Sequence, residues 1–259
     1  MKPFQPKPSP AEPPYIIAHR GISAKAPENT LAAFQRAVDV SGIDMIELDV
    51  RLTKDEQVIV LHDRTLQRTS TGNGPARNYT LAEIKRFDAG SWFHPAFVGE
   101  RVPTLEEVLQ LVQGKLWVDI EIKSDWLHGE PAGLLEDRVW QVVTQCGMES
   151  QVLFSSFNHT IVQTLKQRHP AAFTAVLHNF SDSFIRTPAT LATRVHASGL
   201  VCAKREMNRR LIEDAHARGI AVYVYTLNAL AHVQKVLSCG ADGIISNNAD
   251  DIIAVVKNM

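Results

Sequence analysis

From Tyr15 onward, short apolar runs alternate with amphipathic segments, and this rhythm limits the chain to very few folds. The apolar runs are Tyr15–Ala18, Met45–Val50, Val58–Leu61, Leu116–Ile122, Val152–Phe154, Phe173–Leu177, Leu200–Ala203, Ile220–Tyr225 and Gly243–Ile245. Most are rich in Val, Ile and aromatic residues, as strands are, and most lead into a helical pattern. Asn29–Val40 sets Leu31, Phe34 and Val38 on one helical face. Thr104–Val112 opens with a capping box from Thr104 to Glu107. Asn208–Arg218, Ala229–Cys239 and Ala249–Lys257 close the series. Repeated strand-then-helix order over 259 residues predicts an α/β protein, a TIM (β/α)8 barrel.

The runs number nine and a barrel takes eight. Only Arg51 to Gln57 separate Val50 from Val58. A parallel crossover needs about a dozen residues, so these two runs must form a hairpin that turns near Lys54–Glu56. That register sets His62 opposite Leu48, beside Glu47 and Asp49. The stretch 63–103 then interrupts the alternation with the turn signals of Thr71–Pro75 and a short helix at Leu81–Phe87. It is read as a cap inserted over the barrel mouth. The domain reading is one barrel over 15–259, preceded by a tail over 1–14.

That tail has prolines at 3, 6, 8, 10, 13 and 14 and no apolar stretch after its first lysine. It reads as disordered and not as a secretory leader. Lys and Arg total 27 against 28 Asp and Glu, a formal net charge of −1. Such a chain has no global field for nucleic acid or an anionic membrane surface. No apolar run approaches the roughly 18 residues of a membrane span, so no stable membrane association is expected. Cys146, Cys202 and Cys239 show neither disulfide nor metal spacing and read as packed thiols, which fits a reducing, cytoplasmic location.

In parallel barrels chemistry sits where strands end. The first run ends Ala18-His19-Arg20-Gly21, the second carries Glu47-Leu48-Asp49, and the hairpin strand ends His62-Asp63. The next holds Asp119-Ile120-Glu121-Ile122-Lys123. Residues two apart on a strand face the same way, so Glu47 pairs with Asp49, and Glu121 with Lys123, with Asp119 deeper on that face. Convergent carboxylates repel unless a proton or cation intervenes, and they suit a hard divalent ion, Mg²⁺ or Ca²⁺. Two histidines arriving beside them can take and give protons near neutral pH. Arg20 offers a planar fork for phosphate and Lys123 a second positive charge. This set suits a phosphodiester better than a sugar. The other eight histidines read as surface residues.

The chain resembles the glycerophosphodiester phosphodiesterases, in their soluble bacterial, cytoplasmic branch. The likeness lies in Ala18-His19-Arg20-Gly21, Ala26-Pro27-Glu28-Asn29-Thr30, Ile46–Val50, Leu61-His62-Asp63 and Leu66–Ser70, continues through Asp88–Phe93, Pro103-Thr104-Leu105 and Ile120–Lys123, and ends in Tyr225–Asn228 and Gly240–Ile245. The resemblance implies a barrel of the phospholipase C-like phosphodiesterase type. It implies hydrolysis of small-molecule glycerophosphodiesters, such as glycerophosphocholine and glycerophosphoethanolamine, to sn-glycerol 3-phosphate and an alcohol. It implies one divalent cation on Glu47, Asp49 and Glu121, and His19 and His62 as the acid–base pair. A glycerol hydroxyl of the substrate would attack phosphorus first, giving a cyclic phosphate that water opens. The chain departs from the pattern at Ser246-Asn247-Asn248, where relatives often carry Thr-Asp. Two alternatives stay open. One is a phospholipase D-type enzyme for lysophospholipids or sphingolipids, with Trp92, Phe93 and Phe97 as an apolar rim. The other is a barrel that binds phosphoesters without catalysis.

Overall fold

A computed structural model describes residues 1–6, 13–123, 125, 129–178 and 187–257. The alternation is realised as a closed barrel. Its strands are β1 (Tyr15–His19), β2 (Met45–Leu52), β4 (Trp117–Ile122), β5 (Val152–Ser156), β6 (Phe173–His178), β7 (Gly199–Ala203), β8 (Ala221–Tyr225) and β9 (Gly243–Ser246). Neighbours pair in parallel around the ring, and β1 closes it by pairing both β9 and β2. The ninth run, β3 (Val58–Val60), is the expected hairpin: it runs antiparallel to β2 with Val50 opposite Val60 and Leu52 opposite Val58. The turn is closed by Thr53 N–H donating to the Gln57 carbonyl at 3.0 Å.

Helices α1 (Leu31–Asp39), α3 (Leu105–Val112), α4 (Leu134–Gln145), α5 (His159–Arg168), α6 (Pro188–Arg194), α7 (Arg209–His216), α8 (Leu230–Ser238) and α9 (Ala249–Lys257) alternate with the strands, and α2 (Leu81–Ile84) is a single turn in the insertion. Thr30 caps α1 by accepting from Ala33 N–H, and the Thr104–Glu107 capping box opens α3. The period of two along each strand separates two cores. Ile16, Ala18, Ile46, Leu48, Val118 and Ile120 point outward against helix residues such as Phe34 and Leu109. Ile17, Met45, Leu153, Val201, Tyr223 and Ile245 fill the barrel interior. The same parity sends Glu47, Asp49, Asp119 and Glu121 inward. The insertion after β3 builds its own small core from Leu66, Ala76, Ile84, Ala89 and Val102 against Ile59 and Leu61.

The disordered tail expected over 1–14 does not hold at Phe4, which is fully buried in the lower end of the barrel, where the strands begin. Its ring centroid lies 5.8 Å from that of Tyr15, 5.9 Å from Trp117 and 5.5 Å from Phe173. Phe4 N–H donates to the Ser150 carbonyl at 2.7 Å, and Trp117 Nε1–H donates to the Lys2 carbonyl at 3.1 Å. Flanking prolines deny this segment a helix or a strand, but a single aromatic ring needs neither to plug an apolar opening. The rest of that tail, 7–12, lies outside the described residues. Among the described residues no helix is long and apolar enough to cross a membrane.

Candidate active site

The site follows from register. His19 on β1 is the pairing partner of Glu47 on β2, Glu47 of Asp119 on β4, and Asp49 of Glu121. Cross-strand neighbours on one face share a surface, so three strands deliver a histidine and four carboxylates to one end of the barrel interior. Glu47, Asp49 and Glu121 each offer an oxygen within 4.8 Å of the others, and all three are buried. The hairpin brings the second histidine: Leu61 N–H donates to the Asp49 carbonyl at 2.9 Å, which sets His62 at the rim.

Positive charge meets this cluster from two sides. Lys123 Nζ forms an ion pair with Glu121 and lies 3.1 Å from Asp49 Oδ1. Arg20 Nε lies 3.2 Å from Asp49 Oδ2. Burial and neighbouring carboxylates push the Glu47 carboxyl well above its usual range. Burial, against the pull of Lys123, raises Glu121 to about 7. Burial alone would raise Asp49 too, but Lys123, Arg20 and His62 outweigh it and hold it low. Asp49 Oδ1 and Glu121 Oε1 are buried, and both face the Lys123 ammonium. An all-oxygen set of three buried carboxylates, set against the two positive charges of Lys123 and Arg20, fits a hard divalent cation.

The two histidines have different partners. His19 Nδ1 lies 2.6 Å from Asn247 Oδ1, and its Nε2 faces Glu47 Oε2 at 3.8 Å. Burial and then Arg20 push its pKa down to about 4. His62 Nδ1 instead lies 2.6 Å from the carboxylate of Asp63. Burial also lowers His62, with Asp49 and Asp63 pulling the other way.

The turn after β1 is held in a strained shape. Arg20 and Asn29 both have left-handed backbones, with φ of 56° and 58°. Asn29 Nδ2–H donates to Asp49 Oδ2 at 2.8 Å and its backbone N–H to the Arg20 carbonyl at 3.1 Å. Gly21 has φ of 79°, and a Cβ there would lie 2.6 Å from the Ala33 backbone, so only glycine lets α1 pass this close.

These residues surround a cavity of about 200 Å³. His19, Arg20, His62 and Lys123 line it together with Glu47, Glu121, Asp119 and Ser155, whose hydroxyl donates to Asp119 at 2.7 Å. Phe157, Leu177, Val201, Tyr225 and Ile245 form an apolar side. Six of the seven residues singled out from the sequence line this cavity, and the seventh, Asp49, is fully buried beside it against Arg20 and Lys123. The aromatic rim does not join them: Phe93 meets Trp92 and Phe97 edge to face, and none of the three lines this cavity. The supporting roles of Asn29, Glu28, Asp63, Arg68 and Asn247 escaped the sequence reading, although four of the five lie inside motifs quoted from it. His178, read as a surface residue, is buried at the end of β6 with Glu206 Oε2 2.9 Å from its Nδ1.

The comparisons agree with this geometry. The glycerophosphoryl diester phosphodiesterase family model matches residues 19–251. A glycerophosphodiester phosphodiesterase of Caldanaerobacter subterraneus is 36% identical over 243 residues, covering 93% of this chain and 97% of that one. The Bacillus subtilis protein YhdW is 38% identical over 239 residues, covering 92% and 96%. Among solved structures, a glycerophosphodiester phosphodiesterase from Agrobacterium tumefaciens superposes with a TM-score of 0.80 at 30% identity, covering 93% and 99%. A phosphodiesterase from Oleispira antarctica, solved with its product sn-glycerol-3-phosphate, superposes with a TM-score of 0.85 at 28% identity, covering 95% and 97%. A family match over nearly the whole barrel, with relatives 36% and 38% identical across most of both chains, places this chain in the glycerophosphoryl diester phosphodiesterase family.

Proposed function

We propose that this enzyme hydrolyses glycerophosphodiesters to sn-glycerol 3-phosphate and an alcohol, with Glu47, Asp49 and Glu121 holding a divalent cation, Mg²⁺ or Ca²⁺, and with His19 and His62 as base and acid. The observation that carries this reading is the placement of two imidazoles with unlike partners on the rim of one carboxylate cluster. The product bound by the Oleispira antarctica relative supports glycerol 3-phosphate as the product here. The three free thiols support a cytoplasmic location.

The bound cation would neutralise the carboxylate cluster and polarise a phosphoryl oxygen. Arg20 and Lys123 would stabilise the negative charge that grows on the remaining phosphoryl oxygens. The side-chain amide oxygen of Asn247 accepts a hydrogen bond from His19 Nδ1–H, which leaves Nε2 with a lone pair, and the depressed pKa keeps this ring neutral. His19 is therefore the group suited to take the proton of the attacking glycerol hydroxyl. His62 rests on a carboxylate that steadies its protonated form, so it suits delivery of a proton to the departing alcohol oxygen. When water opens the cyclic phosphate the two roles reverse, and each ring ends in its starting state.

The test is release of sn-glycerol 3-phosphate from glycerophosphocholine and glycerophosphoethanolamine, with and without a chelator. Turnover that stops on chelation and returns with Mg²⁺ or Ca²⁺ supports the reading. Full turnover by a rigorously metal-free preparation contradicts the cation's role, and no turnover of either substrate contradicts the substrate class.

A further inference from the structure

We infer that Arg68, a residue of the inserted segment, is a positioning residue that aligns His62 and Arg20 with one guanidinium; this deepens the functional reading above and rests on it. Arg68 makes four hydrogen bonds. Its Nε–H and one Nη2–H go to the two oxygens of Asp63 at 2.6 and 3.1 Å. Its Nη1–H and the other Nη2–H go to the two oxygens of Glu28 at 2.8 Å each. Both carboxylates then reach into the site. Asp63 Oδ1 holds His62 Nδ1 at 2.6 Å. Glu28 Oε1 accepts from Arg20 Nη1 at 2.8 Å, and Arg20 Nε continues to Asp49.

The result is an unbroken row, Asp49, Arg20, Glu28, Arg68, Asp63, His62, in which acid and base alternate. It connects a carboxylate of the cation cluster to the imidazole on the opposite rim. Glu28 and Asp63 would repel each other without the guanidinium between them. Among the described residues, Asp63 has Arg68 to fix the orientation in which its oxygen meets His62, and its other charged partner is His62 itself. Paired forks lock rotation about both carboxylates, which a single ammonium cannot do, so Arg→Lys is a severe change at this position. Arg68 does not line the cavity and its side chain is 43% exposed, so its effect reaches the substrate only through His62 and Arg20.

The experiment compares wild type, Arg68→Ala and Arg68→Lys, each checked for an unchanged amide spectrum. Misaligning an acid–base group commonly costs about 10- to 100-fold. Arg68→Ala should lose kcat in that range on glycerophosphocholine while KM changes by less than about threefold. Arg68→Lys should fall between the two, and added guanidinium should return several-fold of the lost kcat to Arg68→Ala only. Independently of any substrate, the His62 Nδ1–H resonance of ¹⁵N-labelled protein should be protected in wild type and lost to water exchange in Arg68→Ala. Unchanged kcat in Arg68→Ala overturns the inference. So does a kcat loss that guanidinium does not relieve and that leaves the His62 Nδ1–H signal as in wild type. If wild type releases no glycerol 3-phosphate, the functional reading fails, while the resonance still decides whether Arg68 orients His62.

Discussion

Asp49 on β2 lies directly across from Glu121 on β4, and the Lys123 ammonium contacts both carboxylates, 3.1 Å from Asp49 Oδ1. Lys123 faces Asp49 and Glu121, and Arg20 faces Asp49 and Glu47, so three buried acids meet two fixed positive charges. The cluster therefore carries excess negative charge that only protons or a metal ion can neutralise.

Proton and metal should compete for it. Burial holds the Glu121 proton up to about pH 7, and burial also raises Glu47 well above its usual range. Below those values a metal ion must displace protons, and above them it need not. Titration of metal-free enzyme with Mg²⁺ or Ca²⁺ by calorimetry should show affinity rising from pH 6 to pH 8, with protons released to the buffer. Glu121→Gln removes one charge with little change of shape and should weaken binding by about 10-fold or more.

The same groups set how apo stability depends on pH. The Glu121 carboxyl is raised in the fold to about 7 from its ordinary 4.5. Its contribution is complete below about pH 4.5. It is lost as pH rises toward 7, because the unfolded chain releases a proton that the fold retains. His19, lowered to about 4, acts in the opposite sense between about pH 4 and 6.5, so the Glu121 contribution is read as a difference: between pH 5 and 7 metal-free wild type should lose Tm relative to metal-free Glu121→Gln. A Tm difference between the two that stays constant from pH 5 to 7 would show that the Glu121 carboxyl is ionised in the fold.

Phe4 is expected to hold the lower end of the barrel closed. Phe4→Ala empties a fully buried ring site and should cost about 2 kcal/mol or more, a loss of about 4 °C in Tm for a chain of this size. The catalytic end is at the other end of the strands, so kcat on glycerophosphocholine should stay unchanged.

Gly21→Ala addresses the strained turn. The added methyl would meet the Ala33 backbone at 2.6 Å on a residue with φ of 79°. A cost of about 1–3 kcal/mol in thermal stability is expected. Since Gly21 follows His19 and Arg20 directly, kcat should fall as well, and a variant with full Tm and kcat would show that α1 can yield.

Most of this architecture was legible because it rests on periodicity. The strand runs, the hairpin register and the inward face of Glu47, Asp49 and Glu121 all follow from alternation by two. Helices α4, α5 and α6 were not individually visible: α5 reads His-Thr-Ile-Val-Gln-Thr-Leu-Lys-Gln-Arg, with only Ile161, Val162 and Leu165 buried. Phe4 escaped because one anchored ring among prolines has no period at all. Arg68 and Glu28 escaped for a related reason. Their meeting depends on how the inserted segment folds back over the turn after β1, and no local pattern encodes a contact across 40 positions.

The central claim, a base at His19 and an acid at His62, is tested most directly by varying the leaving group. A nitrophenyl diester of glycerol phosphate departs without a proton, whereas choline from glycerophosphocholine needs one. On glycerophosphocholine, His19→Ala and His62→Ala should each lose about 10²-fold or more in kcat. On the nitrophenyl substrate the first-turnover release of nitrophenol should recover most of its rate in His62→Ala and should not in His19→Ala, because only the later opening of the cyclic phosphate still calls on His62 as base. Recovery by His19→Ala alone would reverse the two assignments. Near-normal turnover of either variant on glycerophosphocholine would contradict the two-histidine account.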